Sequence, residues 1–562
     1  MHIRLLLFAI FYFVFSHVLN AQNLDIQSVM TQLEQRGEVY LSFDSVQVSQ
    51  NKSGFNALSF DKIENSRVYF YANAEALITI NLNKMPFLLE AVPSMEIIPK
   101  MASSVGSFTA NWDAYPTYFQ YDSLMHQFAI NYPDICKFHV LGTLNSGRQI
   151  LAVQIGDSVH NQDNEVQFLY TSSIHGDEIT GYVLMLRLID YLLQNYATDT
   201  RIQSLLNNID LWINPLANPD GTYFGGNNTV FAAKRYNANN VDLNRNYPDP
   251  NDGPHPDGKT WQPETNIFMA FADSMHFTMA GNFHGGQEVV NYPWDTWAKL
   301  NADDNWWINV SKDFSDTVHA NSPSGYLSYL GGYTNGYQWY RITGGRQDYM
   351  NYMQHCREVT IEISNTKLVA ESTLPLYWNY LKPSLLNYLQ ECTYGLQGQV
   401  TDSITGFAVK AKIEILNHDF DSTEVYTNDS GFYYRPIEAS TYDVKYSAPN
   451  YYSKIMYMVQ IGANTATMQN VQLVPAVISI SDTENPQNIL VYPNPTNSTF
   501  FIKSSSNMNG IEILDISGKQ VFYSTDINSD QFKINVDNWS KGIYNVLIYI
   551  QSNTITQKLI IQ

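Results

Sequence analysis

Three cysteines, Cys136, Cys356 and Cys392, in a chain of 562 residues are too few for a disulfide scaffold. Their spacing fits no thiolate metal cluster; one pair is possible, and burial as small apolar residues is the preferred reading. Basic residues are also scarce, with 32 Lys and Arg against 53 Asp and Glu and a formal charge of −21. Phosphate binding needs a basic face, so nucleic acid is excluded as a partner. Charged residues make up only 15% of the chain, while hydrophobic content reaches 44% and tyrosines number 39. That balance excludes a disordered chain and suits β-rich, exported modules. Beyond the first 21 residues no apolar run is long enough to cross a bilayer, so no transmembrane segment is expected. Neither an HExxH helix nor a GxSxG elbow occurs, which removes two large hydrolase classes. The phosphate-loop pattern is present in letters only, as Gly253-Pro-His-Pro-Asp-Gly258-Lys259-Thr260. Pro254 and Pro256 remove two of the N–H donors that such a loop needs, and a surface turn is expected.

The short basic start Met1-His-Ile-Arg4, the apolar Leu5 to Phe15 and the small-residue close at Ala21 read as a secretory signal over 1–21. Residues 22–108 then form a small α+β region, with a helix at Asp25 to Gln35 and strands at Glu38 to Phe43, Arg67 to Phe70 and Ala76 to Asn81. Such a region ahead of an exported hydrolase is either a pro-segment that covers the active site or a permanent accessory domain. From 109 to 393 strands alternate with helices, the pattern of one large α/β domain whose mixed sheet is flanked by helices. Short strands and turns over 394–475 predict a β-sandwich, 476–488 a linker, and 489–562 a second short β-sandwich.

The chain is organised around Thr171-Ser-Ser-Ile-His175-Gly-Asp-Glu178-Ile-Thr-Gly181. An apolar strand precedes it and a helix with apolar residues at helical spacing follows, so His175 and Glu178 sit on the turn between them. An imidazole and a carboxylate at that spacing can reach one cation, and the pair suits zinc. His284 ends the strand Met279 to Phe283, at the carboxyl edge where open α/β sheets bind ligands, and completes a His₂Glu set with one position open. In Asn237-Ala-Asn-Asn-Val-Asp242-Leu-Asn244-Arg245, Asn244 and Arg245 supply adjacent planar donors for a carboxylate. Arg235 can stabilise an oxyanion, and Asp242 can fix the tautomer of a metal-bound imidazole. Tyr340 lies in a glycine-rich aromatic loop able to swing over a substrate. Glu362, on a strand with apolar neighbours, is costly to bury unless it faces a polar cleft, where it would serve as a general base.

These motifs resemble the zinc metallocarboxypeptidases, and most of all the carboxypeptidase D/E/N branch. The carrying residues are His175-Gly-Asp-Glu178, Asn244-Arg245-Asn, His284-Gly-Gly, Tyr292-Pro293, Gly344-Gly345-x-x-Asp348-Tyr349 and Glu362, with Tyr340 ahead of the glycines. The resemblance implies one zinc ion on His175, Glu178 and His284, with Glu362 as general base and acid. It further implies Arg235 on the oxyanion, and Asn244, Arg245 and Tyr340 on the terminal carboxylate of a peptide or protein. Asp242 matches the carboxylate behind His175. Asp295 and Gln347 match positions that favour basic terminal residues, so release of C-terminal Lys or Arg is expected; Trp294, where the branch more often has Phe, narrows that pocket. Residues 394–475 resemble the branch's transthyretin-like module. Tyr492-Pro-Asn-Pro495, Asp515-Ile-Ser-Gly518-Lys519, Lys541-Gly-Ile-Tyr544 and the tail from Lys558 resemble the C-terminal sorting domain of the type IX secretion system. That resemblance implies partnership with the secretion machinery, passage through the periplasm and outer membrane, and a secreted or surface-attached product.

Two alternatives stand beside this reading. One is an amidohydrolase of the same fold acting on cell-wall peptides or acyl-amino acids. The other is a non-catalytic surface binding protein on this scaffold, against which the intact set His175, Glu178, Arg245, His284 and Glu362 counts.

Overall fold

Val166–Ser172 buries side chains on both of its faces, as a strand does when helices cover a sheet from two sides. In the computed structural model, which describes residues 22–55, 57–80, 85–160, 164–476, 489–551 and 553–562, this strand lies within an eight-stranded sheet. Phe168 and Tyr170 join the core shared with helices Tyr118–Asn131, Thr180–Asn195, Asp304–Asn321 and Leu374–Glu391. Leu169, between them, joins the opposite core, to which Pro263–Asp273 and Arg346–Met353 contribute. The two-residue period of a strand thus feeds two helical layers.

Numbered along the chain, the strands of a smaller N-terminal sheet are β1 (Val39–Asp44), β2 (Ser59–Glu64), β3 (Arg67–Ala72) and β4 (Phe87–Leu89). Those of the large sheet are β5 (Cys136–Thr143), β6 (Gln149–Ile155), β7 (Val166–Ser172), β8 (Ile209–Asn214), β9 (Phe277–His284), β10 (Gln287–Tyr292), β11 (Tyr333–Asn335) and β12 (Arg357–Ser364). The large sheet has the order β11-β10-β12-β9-β7-β8-β6-β5. Its centre, β12-β9-β7-β8, is parallel, and antiparallel pairings to β10 and β6 flank it. The α/β class with a mixed sheet is borne out, and the parallel strands bring their carboxyl ends to one edge.

The N-terminal region is α+β, with the antiparallel order β2-β3-β1-β4 and helix Gln22–Arg36 packed through Val29 and Leu33. One expectation fails here: the strand placed at Ala76 to Asn81 is instead helix Ala74–Thr79. Asn73 caps it by accepting from the Ala76 N–H at 2.8 Å, and Ala-Glu-Ala-Leu favours helix over strand. The strands of this sheet that the sequence reading missed are β2 and the three-residue β4, and β2 is the one that reaches the site. It carries a bulge, since Phe60 pairs with Phe70 and Lys62 with Tyr69, leaving Asp61 as the extra residue.

Residues up to Ala476 form one compact unit, and the C-terminal residues a second. Within the first, two four-stranded sheets enclose Leu396, Val400, Ile413, Val444 and Tyr446, the β-sandwich expected over 394–475. The second is β throughout: five antiparallel strands around Phe500, Ile511, Val546 and Leu559. The signal expected at 1–21 and the linker at 476–488, apart from Ala476, lie outside the described residues. Cys136, Cys356 and Cys392 are buried and free, so the possible disulfide does not form. No helix among the described residues is long and apolar enough to cross a membrane.

Candidate metal centre and active site

After β7 the chain turns through Ser173 to Ile179 before helix Thr180–Asn195 begins, and this turn presents His175 and Glu178. The turn packs tightly on a neighbouring loop: a Cβ on Gly176 would lie 2.5 Å from the carbonyl carbon of Gly221. Only glycine fits there, and Thr222 Oγ1 donates to the Gly176 carbonyl at 2.7 Å. His284 closes β9, and the sheet register sets Glu362 of β12 directly beside it.

One ligand atom from each of His175, Glu178 and His284 lies within 4.8 Å of the others, and all three residues are buried. Both imidazoles turn Nδ1 inward, at 2.9 Å (His175) and 2.8 Å (His284) from the two Glu178 oxygens. Each Nε2 faces outward. That of His175 meets Asp242 Oδ1 at 3.0 Å, and that of His284 meets the side-chain amide nitrogen of Asn282 at 3.0 Å. Asn282 Oδ1 is buried without a partner, so turning this amide by half a rotation gives His284 Nε2–H an acceptor. Both rings then keep a lone pair on Nδ1, the arrangement that metal-ligating histidines need. Burial pushes the His284 imidazole down to about 4, which leaves it neutral at physiological pH. Burial would raise Glu178, but His175, Lys367 and His284 together hold its carboxyl well below the usual range. The neutral His284 imidazole, the inward Nδ1 of His175 and an ionised Glu178 carboxylate fit zinc.

Around this trio, Arg235 donates from Nε to Asp242 Oδ2 at 3.1 Å and from Nη1 to Glu178 Oε1 at 3.3 Å. Glu362 is 8% exposed and its Oε2 is buried without a partner. Burial, and then the charge of Glu178, push its carboxyl well above the ordinary range. Asn244, Tyr340, Arg235 and Glu362 line the same small cavity as the three candidate ligands. Asp242 caps the short turn Leu243–Arg245 by accepting from the Asn244 N–H at 3.0 Å, which ties Asn244 to the carboxylate behind His175. Arg245 and Asp242 line an adjoining cavity of about 320 Å³. Asp295 and Gln347 do not line the metal cavity. Gln347 Nε2 and Asn291 Nδ2 both donate to Asp295 Oδ1, at 3.2 and 3.0 Å, and Asn291 reaches the cavity wall. Burial pushes Asp295 up to about 7.

Several participants escape a reading of local motifs. Lys367 donates to Glu178 Oε1 at 2.7 Å and to the Gly285 carbonyl at 2.6 Å. From the N-terminal sheet, Asp61 pairs with Lys367 at 2.7 Å and the Phe60 ring lies 4.3 Å from that of Tyr340, centroid to centroid. Lys367 follows β12 in a Ser-Asn-Thr-Lys turn that looks like surface, and nothing near Asp61 in sequence marks its destination. Asn282 did carry a signal, sitting two residues before His284 on the same strand face.

The fold and the donor set define a single-ion centre of the His₂Glu class at the carboxyl edge of an α/β sheet. Residues 121–384 match the zinc carboxypeptidase family, and residues 490–562 match the secretion system C-terminal sorting domain. Carboxypeptidase D of Mus musculus is 32% identical over 370 residues, covering 62% of this chain and 26% of its own length. Carboxypeptidase M of Mus musculus is 30% identical over 345 residues, covering 59% of this chain and 77% of that protein. The crystal structure of carboxypeptidase A from Helicoverpa armigera aligns at a TM-score of 0.49 and 17% identity, over 63% of this chain and 97% of that one. The chain belongs to the zinc carboxypeptidase family, and zinc is the metal that the His175, Glu178 and His284 cluster suits. It spans about a quarter of the length of the carboxypeptidase D relatives, 26% for the mouse protein.

Proposed function

We propose that this chain is an exported metallocarboxypeptidase that hydrolyses the C-terminal peptide bond of peptides and proteins, with His175, Glu178 and His284 as the zinc ligands. The observation that carries the reading is the Glu362 oxygen beside His284, desolvated and without a hydrogen-bond partner among the described residues. Bound zinc supplies a Lewis acid for water and for the scissile carbonyl. Glu362, a buried carboxylate whose proton affinity burial and the charge of Glu178 raise, takes the proton of the attacking water and delivers it to the departing amine. Arg235, held in place by Asp242 and Glu178, offers its remaining guanidinium donors to the oxygen that gains charge. Asn244, Arg245 and Tyr340 hold the terminal carboxylate, which makes the enzyme an exopeptidase. Asp295, kept in place by Gln347 and Asn291, selects C-terminal Lys or Arg.

Residues 22–108 we read as a pro-segment that covers this site. The Tyr71 hydroxyl donates to Asp177 Oδ2 at 2.7 Å, the Ser59 hydroxyl to Asp242 Oδ2 at 2.5 Å, and Arg36 to the Ala233 carbonyl at 3.0 Å. The space left among the metal-site residues is about 20 Å³, room for about one water and no peptide. The transthyretin-like identity of 394–475 belongs to the same proposal. So do export by the type IX machinery through the periplasm and outer membrane, and secretion or attachment at the surface.

Mass spectrometry of peptides ending in Lys, Arg, Phe or Glu, with and without a chelator, tests the activity. Loss of one terminal residue at a time, fastest from Lys and Arg and abolished by chelation, is expected. Glu362→Gln should lower kcat by about 10²–10⁴ while zinc content stays at one per chain. Internal cleavage, or release of acyl groups without trimming, would replace the carboxypeptidase reading with the amidohydrolase one.

A further inference from the structure

Among the described residues Lys367 has three oxygen neighbours, and only one of them comes from outside the metal site. Glu178 Oε1 at 2.7 Å and the Gly285 carbonyl at 2.6 Å belong to the metal site itself. The third, Asp61 Oδ1 at 2.7 Å, comes from the N-terminal region, delivered by the bulge in β2. That third contact is close but not aligned as a hydrogen bond, and Asp61 Oδ1 has no other partner. Asp61 Oδ2 meanwhile accepts from the Tyr40 hydroxyl at 2.6 Å, within its own domain. The pairing is therefore one that a better-placed carboxylate can replace.

The neighbourhood is built to admit this lysine. A Cβ on Gly286, whose φ is +115°, would strike Lys367 Nζ, and Asp61 Oδ1 would lie 3.1 Å from it. The Gly285-Gly286 pair thus makes room for an ammonium group as well as for the adjacent histidine. Lys367, Glu362, Tyr340, Phe60 and Asp61 line one cavity. With the Phe60 ring tilted against that of Tyr340 and Asp61 on Lys367, the dipeptide fills the cleft beside the metal-site residues. Withdrawal of Asp61 opens one oxygen position on Lys367 toward the cleft, while Glu178, whose charge a zinc ion would share, and the Gly285 carbonyl keep the other two.

We propose that Lys367 is a substrate-recognition residue for a carboxylate side chain on the penultimate residue of the peptide, and that Asp61 occupies its place in the covered chain. The proposal rests on the carboxypeptidase and pro-segment readings above and adds a second selectivity: a basic terminal residue preceded by Asp or Glu. A charge-assisted hydrogen bond of this kind is worth roughly tenfold to a hundredfold in affinity.

The test uses the full zinc-loaded chain, Asp61→Asn, Lys367→Met and their double variant. The substrates are peptides ending in Arg that differ only in a penultimate Glu, Gln or Lys. In Asp61→Asn, KM should fall for all three, and the Glu peptide should exceed the Gln peptide in kcat/KM by about tenfold or more. Adding Lys367→Met should bring that ratio to one, chiefly through KM. The charge swap Asp61→Lys with Lys367→Glu should favour the Lys peptide instead. A Glu-to-Gln ratio near one in Asp61→Asn, or a ratio that survives Lys367→Met, overturns the proposal. If Lys367→Met loses zinc or its circular dichroism, the charge swap and the Asp61→Asn ratio decide. If no variant trims any peptide although zinc is bound, the series is repeated after limited proteolysis of residues 22–108; silence there means that the carboxypeptidase reading fails, and the ratio of dissociation constants for Glu and Gln peptides then decides the role of Lys367.

Discussion

At the scale of single residues, the chemistry is set by how far burial moves each carboxylate. Asp295 is 2% exposed and is pushed up to about 7 by burial, with the Asn291 hydrogen bond and the Arg245 charge working against that rise. A C-terminal Lys or Arg brings a cation that favours the ionised form, so binding below pH 7 must expel a proton. KM for Lys- and Arg-ending peptides should therefore fall as pH rises through about 7, approaching tenfold per unit on the acid side, while KM for a Phe-ending peptide stays flat. Asp295→Asn should flatten the first profile and leave the second alone; a pH series of KM values checks both. The stability sign is opposite: the folded chain holds this proton above the unfolded value of about 3.9, so Asp295 costs stability as pH rises from there to about 7. Of the residues around the metal, those legible in sequence carried their meaning locally. His175 and Glu178 share one turn, and His284 ends a strand with glycines after it. Lys367 and Asp61 were not legible, because each gains its role only from the other, 306 positions away (367 − 61).

Among the elements, strands of the parallel centre could be read from their apolar content, since both faces are buried, even where Thr360 and Glu362 interrupt β12 and Asn282 interrupts β9. The misread helix and the unread strands β2 and β4 fell in the N-terminal region, where short elements leave little periodicity, and β5, β10 and β11 toward the margins of the large sheet went unread as well. Ala74–Thr79 is a single capped turn and a half, and the bulge in β2 breaks the alternation that would have marked a strand. Packing between elements holds a further ion pair out of sight of the sequence. Arg346, at the start of helix Arg346–Met353, donates from Nη2 to Glu358 Oε2 of β12 at 3.0 Å, with both side chains at most 2% exposed. This pair pins the helix that carries Gln347 and Asp348 to the strand that carries Glu362. Arg346→Met should lower stability by about 3–5 kcal/mol, because a buried carboxylate loses its counter-charge. Burial already raises Glu358 despite the arginine; without it the folded pKa rises further above the unfolded value of about 4.3. The folded state then holds a proton that the unfolded state has released, so the deficit should deepen as pH rises between those two values. Urea titrations at pH 5 and pH 8 measure it.

For the molecule as a whole, the succession of an α+β region, an α/β sheet and β-rich regions was legible from the change in element pattern along the chain. What sequence could not show is how the β-sandwich is fixed to the α/β domain. Asp303, just ahead of helix Asp304–Asn321, accepts both guanidinium arms of Arg435 from the sandwich, at 2.8 and 2.9 Å, and Arg357 of β12 at 3.0 Å. Arg435 also reaches Asp419 at 2.7 Å, and Arg357 donates to the Thr423 carbonyl at 3.0 Å. Burial opposes the charge on Asp419, but Arg435 and His418 overcome it and hold its carboxyl well below the usual range. Two acids and two bases are thus sealed between domains, with Arg435 and Arg357 each completely or nearly buried. Such a cluster adds little by itself to stability, because desolvation offsets most of the attraction, yet removing one member leaves the others uncompensated. It therefore acts on coupling: neither domain can part from the other without exposing or stranding charge. Scanning calorimetry should show the α/β domain and the sandwich melting in one transition in the native chain. Asp303→Ala, which takes the paired carboxylate from Arg357 and leaves Arg435 with Asp419 alone, should lower stability by about 3–5 kcal/mol and split that transition, the sandwich melting first. A single unshifted transition in Asp303→Ala would mean that the apolar contact between the domains, and not this cluster, makes them one body. The zinc content and Glu362-dependent activity of the variant should change little below its first transition, since Asp303 touches none of the metal-site residues.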